Sequence, residues 1–299
     1  MTNEKKFLLK RLIIYIVLAF APLIIAVPIL NYAMGGLIFD GELTTSPITA
    51  LVGFLGMMCP AVASILTRII TKEGFKDTYL RANFKGNMKY YALAVIIPVA
   101  YSLAGAIIMR FIYGAAQNNE ISVVGGVSLI VIQLGTGIIM FFYGFGEELG
   151  WRGYMMPKLE KLIGMPGSIF VGGIIWGLWH APLTCSGHNF GTEYKGFPYV
   201  GIGLMCVFCV FIGCILTFVT KRTKSIYPAA ILHMVNNSVS GIILMLLVSP
   251  KADNIGSFLL LLIPMGIISA VTFVLMLKNG KKREHTVVSI KQHGAEQKL

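Results

Sequence analysis

Apolar residues along this chain come in long blocks, not at alternating or single-face spacing. Runs near 12–33, 46–70, 90–113, 123–156, 166–186, 199–220, 226–248 and 257–277 are separated by short polar connections. A bilayer core of about 30 Å is crossed by about 20 apolar residues in helical form. The pattern therefore predicts an all-α, polytopic transmembrane helix bundle of about eight spans. Residues 1–277 make one membrane domain, and 278–299 form a basic tail expected to be flexible. The fourth run is longer than one span needs and contains charges. No internal repeat of the kind many transporters carry is visible.

Composition sharpens this picture. The 299 residues are 56% hydrophobic and 13% charged, against roughly a quarter charged in a soluble domain. No soluble catalytic domain is left over, so any chemistry sits on the helices or at their ends. The net charge of +12 flanks the apolar runs, which suits anionic lipid headgroups and excludes a nucleic-acid partner. Lys and Arg fill alternate connections, and only Arg110, Lys195 and Lys251 fall on the opposite side. By the positive-inside rule, both termini are cytoplasmic in a multi-pass protein of the cell membrane. The basic start followed by the run from Leu12 reads as an uncleaved first helix, because the run is too long for a signal peptide. Residues 71–89 mix basic residues with Phe75, Tyr79, Leu80 and Phe84, an interfacial pattern. Cys59, Cys185, Cys206, Cys209 and Cys214 form no disulfide framework by spacing.

Ionisable residues inside a bilayer are costly, and each is a functional candidate. The fourth run holds Glu147, Glu148 and Arg152, the fifth His180, and the seventh His233 with Asn237. If helix four continues to Met156 and ends at Pro157, Glu148 and Arg152 lie at i and i+4 and can pair. Glu147 then points about 100° away, free to accept and donate protons. Trp176 and His180 share a face at i, i+4, as do His233 and Asn237, while Asn236 is turned aside. Gly173 and Gly177 form a small-residue face for close helix contact. At 1.5 Å per residue, Glu147, a His180 near the middle of helix five, and His233 fall at depths that let them meet. Each group also has a structural explanation: a helix cap, a core histidine, or polar glue between helices. For all three to be structural, those explanations must hold on three helices at once.

If the chemistry is hydrolysis of a peptide bond, several solutions are missing. There is no H-E-x-x-H, no intramembrane Asp pair and no G-x-S-G; the glutamate–histidine set remains. The ordered motifs Glu147-Glu148-x-x-x-Arg152, Trp176-x-x-x-His180 and His233-x-x-x-Asn237 resemble the CPBP or Abi family of CAAX prenyl-protein endopeptidases and bacteriocin-processing proteins. EELGWRGYMMPKL is similar to its bacterial members, and the match covers about Gly144 to Asn237. Trp176 departs from the Phe more usual in that family. The resemblance implies an eight-helix architecture. It also implies cleavage near the C-terminus of a membrane-embedded or lipidated substrate, with Glu147 and His180 activating water and His233 and Asn237 binding the oxyanion. Glu148 and Arg152 would support the site, together with the aromatic wall at Trp176. Two Glu and two His could also hold a divalent metal such as Zn²⁺, through Glu147, His180 and His233. Arg152 beside Glu148 favours a mechanism that requires no cofactor. A proton-coupled transporter and a non-catalytic immunity or scaffold protein are the competing readings.

Overall fold

The computed structural model describes residues 2–39, 47–115, 125, 127–129, 131–132, 137–249 and 252–296, with the side chains of 138–140 and 279–296 excluded. Most of the expected run before Gly137 lies outside the described residues. The elements are α1 (Asn3–Met34), α2 (Pro47–Ile70), α3 (Met88–Tyr113), α4 (Gly137–Gly150), a π-helical turn (Trp151–Met155), α5 (Met156–Trp179), the short α6 (Ala181–Thr184), α7 (Tyr199–Thr223), α8 (Tyr227–Leu247) and α9 (Asn254–Glu296). α9 runs without a break through Lys278, where the basic tail begins. Among the described residues there is no strand, only an isolated bridge between Ala115 and Val248. The chain is an all-α, multi-pass membrane protein.

Among the described residues, seven helical stretches are long and apolar enough to cross a bilayer. The fourth, Phe141–Trp179, has 39 residues and joins the expected fourth and fifth runs. It is not straight. Glu147 and Trp176, 29 positions apart, are in hydrogen-bond contact, whereas a straight helix would separate them by about 44 Å. The reversal occurs at Gly164, whose φ of 76° and ψ of 169° lie in a region that glycine alone occupies readily. The seven stretches therefore supply eight legs.

Pro157 does not end helix four as its position in the sequence suggested. Proline at 157 cannot donate to the carbonyl of Gly153 and would crowd it. The π turn relieves that conflict by widening the helix, with Met156 N–H donating to Trp151 O. The freed Gly153 carbonyl accepts instead from the buried Arg68 guanidinium at 3.1 Å. The helix then continues to Gly164.

The second arm packs on α7 through its small residues. A Cβ on Gly173 would lie 2.5 Å from Val210 Cα, and one on Gly177 would lie 2.4 Å from Cys206 Cα. The two backbones can approach this closely only because both positions lack a side chain. Outward-facing Ile, Leu, Val or Phe are exposed on α1, α2, α3, α4, α5, α7 and α9, including Ile25, Ile69, Ile96, Phe142 and Ile267, as expected for a surface solvated by lipid.

The connection between α2 and α3 carries exposed Phe75, Leu80 and Phe84. Its backbone is docked onto the bundle: Ile226 N–H donates to Tyr79 O at 3.0 Å, and Asn83 Nδ2 donates to Thr223 O at 3.0 Å. Arg68 Nη1 also pairs with Asp77 Oδ1 at 2.6 Å.

Candidate functional site

Glu147, His180 and the pair His233 and Asn237 come from three different helices and line one cavity of about 470 Å³. Trp176, Asn236 and His188 share its wall. α8 reaches the glutamates because Gly144 leaves room for it: a Cβ there would sit 2.8 Å from Ala230 O and 3.3 Å from His233 Cβ.

The two glutamates have separate partners. Glu148 is fully buried, and its Oε1 accepts from Arg152 Nη1 at 3.0 Å and from His233 Nδ1 at 2.9 Å. Buried charges of this kind persist only when paired and hydrogen-bonded. Arg152 also stacks on the Trp176 ring, with Cζ 4.3 Å from its centre. Glu147 Oε2 accepts from two indoles, Trp176 Nε1 at 2.6 Å and Trp151 Nε1 at 3.1 Å. Its other oxygen, Oε1, stands 3.9 Å from His233 Nε2. That gap is too long for a direct hydrogen bond and matches the span of one bridging water.

His180 is not in the middle of helix five. It caps the C-terminus of α5, where its N–H bonds Gly177 O at 3.1 Å in a tightened turn and Pro182 follows in the short α6. Pro182 has no N–H to offer the Leu178 carbonyl, so the hydrogen-bond ladder of α5 is interrupted just beyond His180. Its Nδ1 donates to the Trp176 carbonyl at 2.9 Å, and Cys209 Sγ lies 4.0 Å from the same nitrogen. The Nδ1 bond leaves Nε2 as the acceptor of a neutral ring. All five cysteines are free.

Asn236 is not turned aside. It lines the cavity and donates through Nδ2 to Asn237 Oδ1 at 2.8 Å, while accepting from the Tyr101 hydroxyl of α3. Trp151, Asn236 and Tyr101 are the site residues that motif reading missed. Trp151 was readable in principle, because i, i+4 spacing places it on the face of Glu147. Tyr101 lies in an otherwise apolar run and carries no such local signal. Farther along the wall, in the connection after α6, His188 packs edge-on against Phe39 at 5.0 Å. Burial pushes its imidazole down to about 4.

A metal at this site would need Glu147, His180 and His233 to converge. Glu147 Oε2 accepts from two indole N–H groups, which leaves Oε1 as the carboxylate atom that faces His233. No group of three or more His, Cys, Asp or Glu among the described residues is arranged to hold a metal ion.

Fold and site together define a multi-pass, all-helical membrane protein with an acid–base cavity between its helices. The family of type II CAAX prenyl endopeptidases, Rce1-like, matches residues 129–239, the segment that carries Glu147 through Asn237. The chain is also similar to CAAX prenyl protease 2 of Methanococcus maripaludis, with 30% identity over 206 residues that cover 65% of this chain and 73% of the relative. The chain belongs to the Rce1-like CAAX prenyl endopeptidase family.

Proposed function

We propose that the protein is an intramembrane endopeptidase that cleaves near the C-terminus of a membrane-associated, prenylated protein or peptide, using water activated by Glu147. The supporting observation is the 3.9 Å separation of Glu147 Oε1 from His233 Nε2 on the wall of a cavity that also contains His180 and Asn237. In this reading, the indoles of Trp151 and Trp176 hold Oε2 while Oε1 takes a proton from water. His180 Nε2 accepts a hydrogen bond from the same water and orients it. The resulting hydroxide attacks the scissile carbonyl carbon. The developing oxyanion is stabilised by hydrogen bonds from Asn237 Nδ2 and from His233 Nε2 in its protonated form, donors worth about 3–4 kcal/mol each when preorganised. Glu147 then returns its proton to the amide nitrogen as the C–N bond breaks, leaving a carboxylate and a free amine. Glu148 and Arg152 keep His233 oriented through Nδ1. No step requires a metal.

The apolar wall contributed by Val52, Met57, Met205, Phe208 and Phe258 gives a lipid-modified segment somewhere to lie, while the polar groups converge at Glu147. With both termini cytoplasmic, the reacting groups sit in the inner half of the membrane. The test is reconstitution in nanodiscs with a peptide that carries a farnesylated cysteine three residues from its end. Cleavage that depends on Glu147 supports the reading; proton-driven flux without cleavage would replace it with transport.

A further inference from the structure

We infer that Tyr101 and Asn236 are positioning residues that fix which end of the Asn237 amide faces the cavity. The inference rests on the reading of Asn237 as an oxyanion donor.

An asparagine offers an oxygen at one end and an NH₂ at the other, and its orientation is decided by its network. The chain here has three members. The Tyr101 hydroxyl bonds Asn236 Oδ1, and Asn236 Nδ2 bonds Asn237 Oδ1 at 2.8 Å. In this direction every donor meets an acceptor. The Asn237 oxygen is consumed within the chain, and its NH₂ is left to face the cavity that Asn237 lines.

The reverse direction has a defect at its start. Flipping both amides would aim Asn236 NH₂ at the phenol oxygen, and the phenol hydrogen would then need a different acceptor. Tyr101 is fully buried, and among the described residues Asn236 is its hydrogen-bond partner. A buried hydroxyl hydrogen without an acceptor is penalised. The single phenol proton therefore sets the sense of the whole chain. One turn along α8, Ser240 bonds Ser102 of α3 at 2.6 Å, which holds the two helices in the register this chain needs. Cooperative polarisation along such a chain strengthens the terminal donor.

The experiment measures kcat and KM for the farnesylated peptide in nanodiscs for wild type, Tyr101→Phe, Asn236→Asp, Asn237→Ala and the double variant Tyr101→Phe/Asn237→Ala. Losing one orienting bond should lower kcat about tenfold with KM unchanged. Asn237→Ala should lower kcat on the order of a hundredfold. Because Tyr101 acts through Asn237, adding Tyr101→Phe to Asn237→Ala should cost nothing further. Asn236→Asp keeps the acceptor for Tyr101 but has no NH₂ to offer Asn237. It should lower kcat as Tyr101→Phe does, and it decides the matter if Tyr101→Phe fails to fold. Wild-type kcat in Tyr101→Phe or in Asn236→Asp overturns the inference, as does an equal loss from Tyr101→Phe in the Asn237→Ala background. Wild-type kcat in Asn237→Ala overturns the oxyanion role itself, a different failure.

Discussion

The Trp176 indole N–H donates to Glu147 Oε2 at 2.6 Å, across the two arms of one helical stretch that folds back at Gly164. With Trp151 on the same oxygen at 3.1 Å, the carboxylate is held by one atom, which leaves Oε1 for the proposed water. Trp176→Phe keeps the aromatic wall and the platform under Arg152 but removes one donor. Its kcat should fall about tenfold with little change in KM, the pattern of a lost interaction that matters mainly in the transition state. The Trp151→Phe/Trp176→Phe pair should fall further. Steady-state kinetics on the farnesylated peptide checks this, and an unchanged kcat in the double variant would show that the indoles do not orient the base.

Glu148 neutralises Arg152 and orients His233 with one buried oxygen. Glu148→Ala leaves a buried guanidinium without its carboxylate, a change that costs about 3–5 kcal/mol where it has been measured. Thermal unfolding in detergent should show a large drop in Tm along with lost activity. Glu147→Ala should lose activity with a much smaller drop, because its direct hydrogen-bond partners are neutral indoles and its removal strands no guanidinium.

Part of this arrangement is legible in the amino-acid sequence. The eight legs followed from block length alone, because the bilayer imposes it. The pairing of Glu148 with Arg152 followed from i, i+4 spacing. The course of the helix past Pro157 did not, because it depends on a π turn and on Arg68 reaching Gly153 O from 85 residues away. The position of His180 at a helix end has a sequence signal in Pro182, but the apolar run 166–186 continues past it and masks the break. Asn236 was misjudged because helical periodicity places side chains on faces but says nothing about Tyr101 arriving from α3.

Chelation tests the metal-free mechanism. With Glu147 Oε2 bonded to two indoles and no cluster of three ligands among the described residues, peptide cleavage should survive phenanthroline or EDTA after extensive dialysis. Activity lost to the chelator and restored by stoichiometric Zn²⁺ would contradict it.

His188 makes stability depend on pH in a defined direction. Its folded value of about 4 lies below the roughly 6.5 of an unfolded histidine. Between those values the unfolded chain binds more protons, so stability rises with pH. The contribution is complete above about 6.5 and is lost as pH falls toward 4. Thermal unfolding at pH 7.5 and 4.5 should show a larger acid-induced drop in Tm for wild type than for His188→Phe. The same drop in both would place the acid sensitivity elsewhere.

The central claim is that Glu147 delivers a water to a peptide bond. The most direct measurement is mass spectrometry of the farnesylated peptide after incubation in ¹⁸O-water with wild type and with Glu147→Gln, which keeps the shape and the oxygen that meets the indoles. Wild type is predicted to release the terminal tripeptide and place one solvent oxygen in the new carboxylate, with Glu147→Gln releasing none above background. Cleavage by folded Glu147→Gln at a rate near that of wild type would contradict the account.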